Sequence, residues 1–188
     1  MMETPSPVEP SKSSVWKEIV GLGQSLILGV LLAMALQIFI QPTIVYGQSM
    51  EPSLHDQERV ILDKVSYRMG AHARGDIVVF QVEGEPLPLI KRVIGLPGET
   101  VEIRDGRVVV NGVALREPYA SGPTPGRMNP IRVPPDMVFV MGDNRMPGSS
   151  LDSRRLGPIP LTNITGQARL AYWPPAEWGA LQGAPSAR

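Results

Sequence analysis

The sequence holds no cysteine. That absence excludes disulfides, thiol nucleophiles and cysteine-ligated metals together. Histidine is nearly missing as well, with only His55 and His72, so a zinc site built from imidazoles is poorly supplied and neither a metal nor a cofactor is expected. There is no excess of either charge: Lys plus Arg and Asp plus Glu both total 18, which removes the electrostatic case for nucleic acid as a partner. Aromatic residues are few, with 3 Phe and 4 Tyr against 20 Pro and 19 Gly, a balance that favours short elements joined by turns over a helical bundle. No internal repeat is present.

What is present begins with one long apolar run. Residues 1–15 carry Pro5, Pro7, Pro10 and several Ser with little apolar content, and read as a disordered tail. From Ile19 to Ile40 there is no charge, and as a helix this run would extend roughly 33 Å against a hydrocarbon core of about 30 Å. Trp16 and Lys17 suit the interface and Pro42 closes the run, so residues 16–41 are expected to span a membrane. Lys12 and Lys17 precede the span, whereas residues 41–60 offer Arg59 alone, a bias that puts the N-terminus inside and the domain outside. A cleaved secretory signal is the competing reading, with Ala33-Met34-Ala35 resembling its cleavage site, but the apolar run continues past Ala35. Gln24, Ser25 and Gln37 are spread around the helix and make no case for a second helix packing there.

After the span the pattern changes to short Val- and Ile-rich runs: 59–64, 76–82, 89–94, 100–104, 107–110, 112–115, 137–141 and 166–173. These predict strands. Asp105-Gly106 and Asn111-Gly112 are two-residue hairpin signals, so 100–115 should be a meander, whereas the Pro- and Gly-rich stretch 118–130 reads as a loop inside one domain of residues 42–176. Residues 177–188 read as a flexible tail, with Trp173 and Trp178 placed to pack on the sheet or a membrane surface.

Chemistry centres on Gly47-Gln48-Ser49-Met50-Glu51-Pro52, where flanking Gly and Pro make the chain turn and free a hydroxyl and nearby backbone N–H groups. Alone, Ser49 is an ordinary turn serine. It becomes a nucleophile only with a base. His55-Asp56 is near, but a spacing of six residues in one loop has no independent support. A lysine can serve if an apolar setting keeps it neutral, which arginine cannot do. The chain has four lysines, and beyond the span only Lys64 and Lys91 remain. Lys64 sits at a polar strand end, whereas Lys91 lies in Leu89-Ile90-Lys91-Arg92-Val93-Ile94 with Leu89 and Val93 on its own face. Such a lysine either snorkels at a strand edge or is desolvated for use.

With these residues assembled, the chain resembles the type I signal peptidases, membrane-bound serine proteases with a Ser/Lys dyad. Ser49 to Leu54 is similar to the nucleophile box, Arg59 to Lys64 and Arg74 to Phe80 to the next two strands, Lys91 to Glu99 to the lysine box, and Gly142-Asp143-Asn144-Arg145 with Ser150 to Arg154 to the last box. One departure is the longer spacer Met146 to Ser149, which leaves Ser149 or Ser150 as the supporting serine; counting back from Asp152-Ser153-Arg154 favours Ser150.

The resemblance implies an antiparallel, mainly β catalytic domain with a small β cap at about 100–136, behind a single span in a bacterial plasma membrane, with the domain on the outer face. It implies a monomer that takes preproteins and cuts after small-x-small signals. Ser49 and Lys91 would be catalytic, with the Ser49 N–H as first oxyanion donor and Gly47 where some relatives add a serine hydroxyl. Ser150 would orient Lys91, and Arg92 with Asp143 and Arg154 with Asp152 would form structural ion pairs. Two other classes stay open: a membrane-anchored, non-catalytic β-rich binding module, and a self-cleaving Ser/Lys protease of the repressor type, in which a DNA-reading domain would stand where this sequence has a tail and a span. Asn163-Ile164-Thr165 fits a glycosylation acceptor, a weak pattern. Only eight residues separate Ser49 from Gln41, a reach of roughly 28 Å at most, which predicts a site at the membrane surface.

Overall fold

The computed structural model describes residues 12–65, 67 and 73–181. His72, most of the N-terminal tail and the end of the C-terminal tail lie outside the described residues. Two compact units divide at Phe39. The first is helix α1 (Lys12–Phe39), which begins inside the stretch read as a tail. Its apolar residues point in every direction, with Leu22, Leu28 and Leu32 all exposed, so it has no single face to bury in a soluble core. Trp16–Met34 is long and apolar enough to cross a membrane.

Ile40 and the four residues after it, taken from sequence as the end and exit of the span, are instead a strand, β1 (Ile40–Ile44). Ile40, Thr43 and Ile44 are β-branched, and the ladder to β2 (Arg59–Asp63) outweighs the apolar continuity with α1. Pro42 is tolerated because β1 is an edge strand. The large sheet continues through β3 (Ile77–Phe80), β4 (Leu89–Gly95), β9 (Met137–Met141), β10 (Ile159–Pro160) and β11 (Ile164–Trp173), in the order β1-β2-β11-β3-β4-β9-β10, with the short β12 (Gly179–Ala180) also on β11. All pairings are antiparallel. The late strand β11 therefore lies between β2 and β3, joining a β1-β2 half to a β3-β4-β9 half.

Alternation along β3 shows how the sheet is held. Ile77 and Val79 pack into a cluster with Met50, Leu54, Val60, Leu62 and Ile90. Val78 and Phe80 point the other way, onto Val93, Val138, Val140 and Ile164. A fully buried side chain of this kind contributes roughly 1.5–3 kcal/mol, so β3 is clamped from both faces.

Between the neighbouring strands β4 and β9 the chain leaves to build a second sheet from β5 (Thr100–Arg104), β6 (Arg107–Val110), β7 (Val113–Ala114) and β8 (Met128–Arg132), in the order β7-β6-β5-β8. Both hairpin signals occupy turns with positive φ: Asp105 at 51° and Gly106 at 74°, Asn111 at 51° and Gly112 at 82°. β8 falls partly in the stretch read as loop; its Pro130 hid it, and an edge position accommodates that proline. Ile94, Val101, Val108, Val133, Phe139 and Met141 weld the two sheets.

Candidate active site

Ser49 lies in the β1–β2 connection, whose shape follows from a few local bonds. The Glu51 N–H donates to Gln48 O at 3.2 Å and the Leu54 N–H to Met50 O at 2.9 Å, while the Met50 and Leu54 side chains are fully buried beneath the loop. The loop is pinned, not loose. Gly47 adopts φ 81° and gives its N–H to Asp56 Oδ1 at 2.7 Å, so the Gly47 amide is engaged. The Ser49 N–H has no hydrogen-bond partner among the described residues.

Lys91 stands in β4, opposite Val78 of β3, and is 2% exposed. Its Nζ donates to Ser49 Oγ at 2.7 Å and to Ile90 O at 2.7 Å. Burial pulls the amine from 10.5 down to about 8, against the opposing pull of Asp152 and Asp143. At pH 8 about half of such amines are neutral, against roughly 0.3% for an unperturbed lysine, a gain of about 150-fold in the basic form. The other candidates are not brought here. His55 has its ring Nδ1 at 3.8 Å from Glu58 Oε2, is half exposed and makes no bond to Ser49, and Lys64 lies just past β2 without one.

The third component is the turn after β9. Asn144 N–H donates to Ser49 O at 3.1 Å, and Asn144 Nδ2 to Gln48 O at 3.1 Å. Gly142 packs so closely under Ser49 that a Cβ there would sit 2.5 Å from both Ser49 O and Ser150 Oγ. Ser150, expected to orient Lys91, donates instead to Asp152 Oδ2 at 2.7 Å and makes no hydrogen bond with Lys91. Ser149, the alternative, donates to Asn144 O and Met146 O. The physical reason is a stronger acceptor: Asp152 is an ionised carboxylate beside Ser150, and a hydroxyl prefers it to an amine already engaged twice. Burial acts to raise the Asp152 pKa, but Arg154, the Gly142 N–H and Ser150 together hold it below the usual carboxylate range.

Both ion pairs named from sequence are formed. Arg154 Nη2 lies 2.7 Å from Asp152 Oδ2. Arg92 grips Asp143 through Nε at 2.9 Å and Nη2 at 2.6 Å, also donates to Gly75 O and to Ser53 Oγ, and stacks 4.2 Å from the Tyr119 ring centre. It thus ties β4, the nucleophile loop and the turn after β9 together. Sequence reading gave no role to two residues that matter here. Arg145, 1% exposed, donates to Gly142 O, Thr124 Oγ1 and Glu117, locking the turn to the cap loop. Asn144 was quoted in a motif but not assigned; an Asn following Gly-Asp is the only signal it leaves, and that marks a turn rather than a partner.

A cavity of about 520 Å³ is lined among others by Thr43, Ile44, Tyr46, Leu62, Val79 and Ile90, the residue before Lys91; Ser49 and Lys91 themselves do not line it. β4 pairs with β9 only from Arg92 onward, so Leu89, Ile90 and Lys91 have one edge outside any ladder. Among the described residues no group of His, Asp and Glu is gathered as a metal ion would require.

The family model of signal peptidases, peptidase S26, matches residues 17–173. The chain belongs to this family. A probable signal peptidase I-2 from Synechocystis is 36% identical over 95% of this chain and 83% of its own length, and signal peptidase I T from Bacillus subtilis is 38% identical over 81% and 84%. The crystal structure of a signal peptidase I from Enterococcus faecalis is 33% identical and superposes with a TM-score of 0.45, covering 51% of this chain and 95% of that one. Within this S26 signal peptidase the nucleophile, lysine and final boxes converge on one place, because β4 and β9 are neighbours and the β1–β2 loop folds over them.

Proposed function

We propose that this chain is a membrane-anchored signal peptidase I that removes signal peptides from preproteins through Ser49 and Lys91. The observation that carries the reading is a buried lysine amine 2.7 Å from a serine hydroxyl. In its neutral form Lys91 takes the Ser49 proton as Oγ bonds to the scissile carbonyl carbon. The oxyanion that results faces the free Ser49 N–H. Collapse of the tetrahedral species breaks the C–N bond, and Lys91 returns the proton to the departing amine. Water then adds to the ester, giving its proton to Lys91, and Ser49 is regenerated when that proton passes back to Oγ.

Specificity follows from the free edge of β4. An extended substrate adds there as a strand, so alternate side chains turn into the wall formed by Ile44 and Ile90 while the ones between point away. Small residues at two alternate positions, as in Ala-x-Ala, would let the substrate backbone lie close against β4. Helix α1 anchors the enzyme, with Lys12 and Lys17 holding its N-terminal end on the cytoplasmic side and the β domain on the outer face of a bacterial plasma membrane.

The test is cleavage of one preprotein by the full chain in detergent, with the cut mapped by mass. Ser49→Ala, Lys91→Ala and Lys91→Arg should all be inactive, the last because a guanidinium keeps the charge but cannot accept a proton, while Lys64→Arg cleaves normally. An active Lys91→Arg enzyme refutes the dyad. Equal turnover of Phe-x-Phe and Ala-x-Ala substrates refutes the specificity.

A further inference from the structure

Ser49 has two flanking peptide planes, and Asn144 holds both. Its backbone N–H binds Ser49 O at 3.1 Å and so fixes the peptide after the nucleophile; its side-chain Nδ2 binds Gln48 O at 3.1 Å and fixes the peptide before it. In a trans peptide the carbonyl and the following N–H point in opposite directions. Pulling Gln48 O toward Asn144 therefore turns the Ser49 N–H the other way, and among the described residues that N–H has no hydrogen-bond partner, whereas the Gly47 N–H is taken by Asp56. The internal bond from Glu51 N–H to Gln48 O, at 3.2 Å, makes a local turn, and buried Met50 and Leu54, Lys91 on Ser49 Oγ and Arg92 on Ser53 Oγ pin the loop through its side chains. Asn144 is the contact from outside the loop that holds the peptide carbonyls on both sides of Ser49.

Asn144 is itself braced. Its Oδ1 accepts from the Met146 N–H at 3.2 Å, and its own carbonyl accepts from Ser149 Oγ at 3.0 Å, so the amide orientation that offers Nδ2 to Gln48 is set by its neighbours. On either side, Asp143 is gripped by Arg92 and Arg145 is buried against Glu117. We infer that Asn144 is a positioning residue that aims the Ser49 N–H at the developing oxyanion. This rests on the reading of Ser49 as nucleophile.

A donor misaimed by loss of its brace costs rate in the transition state and little in binding, since the ground-state carbonyl makes weaker demands on it. Removing an oxyanion donor outright costs about 10²–10³ in kcat, and loosening one should cost about 10–10². Rate alone does not separate aiming from damage, so the decisive readout is a ratio. A peptide ester ending in Ala-x-Ala and its thionoester differ only in the atom that takes the negative charge, and sulfur is larger and a weaker acceptor than oxygen. An aimed N–H favours the ester. With the full-length enzyme in detergent, at about pH 9 where Lys91 is mostly neutral, Asn144→Ala should lower kcat with KM within about twofold and should shrink the ester-to-thionoester ratio of kcat/KM at least about fivefold. A ratio does not depend on the fraction of enzyme that folds. Asn144→Asp, which keeps the acceptor for Met146 N–H but replaces the donor to Gln48 O by a carboxylate oxygen that repels it, should shrink it likewise.

Loss of rate in Asn144→Ala with an unchanged ratio, or a wild-type ratio in Asn144→Asp, overturns the inference while leaving the dyad intact. Cleavage by Ser49→Ala at the wild-type rate would overturn the dyad itself, a different result in a different protein.

Discussion

The amine of Lys91 should make the protein more stable as pH rises, and replacing it should remove that dependence. In the folded state burial has brought the amine down to about 8, whereas in the unfolded chain it titrates near its ordinary 10.5. Between those values the unfolded state binds more protons, so the free energy of unfolding increases with pH; below about 8 both states are charged and the folded one carries the full cost. That cost is about 3 kcal/mol, from a displacement of about 2.5 pH units at about 1.4 kcal/mol each. From pH 7.5 to 9.5 the stabilisation from deprotonation amounts to about 2 kcal/mol. Lys91→Met is the perturbation of choice, because its volume and unbranched chain suit the site and it cannot titrate. It deletes two hydrogen bonds at about 1 kcal/mol each, but that loss does not vary with pH. Denaturant unfolding of both proteins in detergent at the two pH values gives the answer as a difference of differences, from which every other titrating group cancels. A gap between wild type and Lys91→Met that is the same at pH 7.5 and 9.5 to within about 0.5 kcal/mol would show that burial does not depress Lys91, and would remove the physical basis for its acting as a base.

Gly142→Ala should be catalytically severe: the new methyl would lie 2.5 Å from Ser49 O and Ser150 Oγ, and a shift of the nucleophile by about an ångström costs about 10² in kcat, measurable on the same preprotein. Asp143→Ala leaves Arg92 buried without its carboxylate and should destabilise the protein by about 3–5 kcal/mol, read as a lower denaturant midpoint.

How much of this was legible beforehand depends on how local each cause is. The hairpins at 105–106 and 111–112 were readable because Asp-Gly and Asn-Gly select their turn directly. The strands around Lys91 and Phe139 were readable as short Val- and Ile-containing runs. β1 was not, because Ile40 is as apolar as the span before it and only its partner β2 makes it a strand. β8 was hidden by Pro130, whose penalty vanishes at an edge that sequence cannot see. At the site, asking which residue types can do the chemistry singles out Ser49 and Lys91, and the fold places their side chains 2.7 Å apart. Ser150 was assigned a bond that its neighbour Asp152 takes, and Asn144 and Arg145 were passed over, because a hydrogen-bond partner 96 or 28 residues away leaves no periodic trace.

The place of β11 bears on when the enzyme comes into being. Ser49 belongs to the β1-β2 half of the large sheet and Lys91 to the β3-β4-β9 half, and the strand that joins the halves is residues 164–173 of 188. A ribosome making this chain from its N-terminus produces Ser49, Lys91 and the 142–154 motif before the strand that pairs with both β2 and β3. Until that strand is made, no ladder can link β2 to β3, and a pairing over so long a sequence separation is slow by nature. A chain truncated before Ile164 would hold Ser49 and Lys91 yet lack the strand that lies between their halves of the sheet, and should be inactive on the preprotein that the full chain cuts.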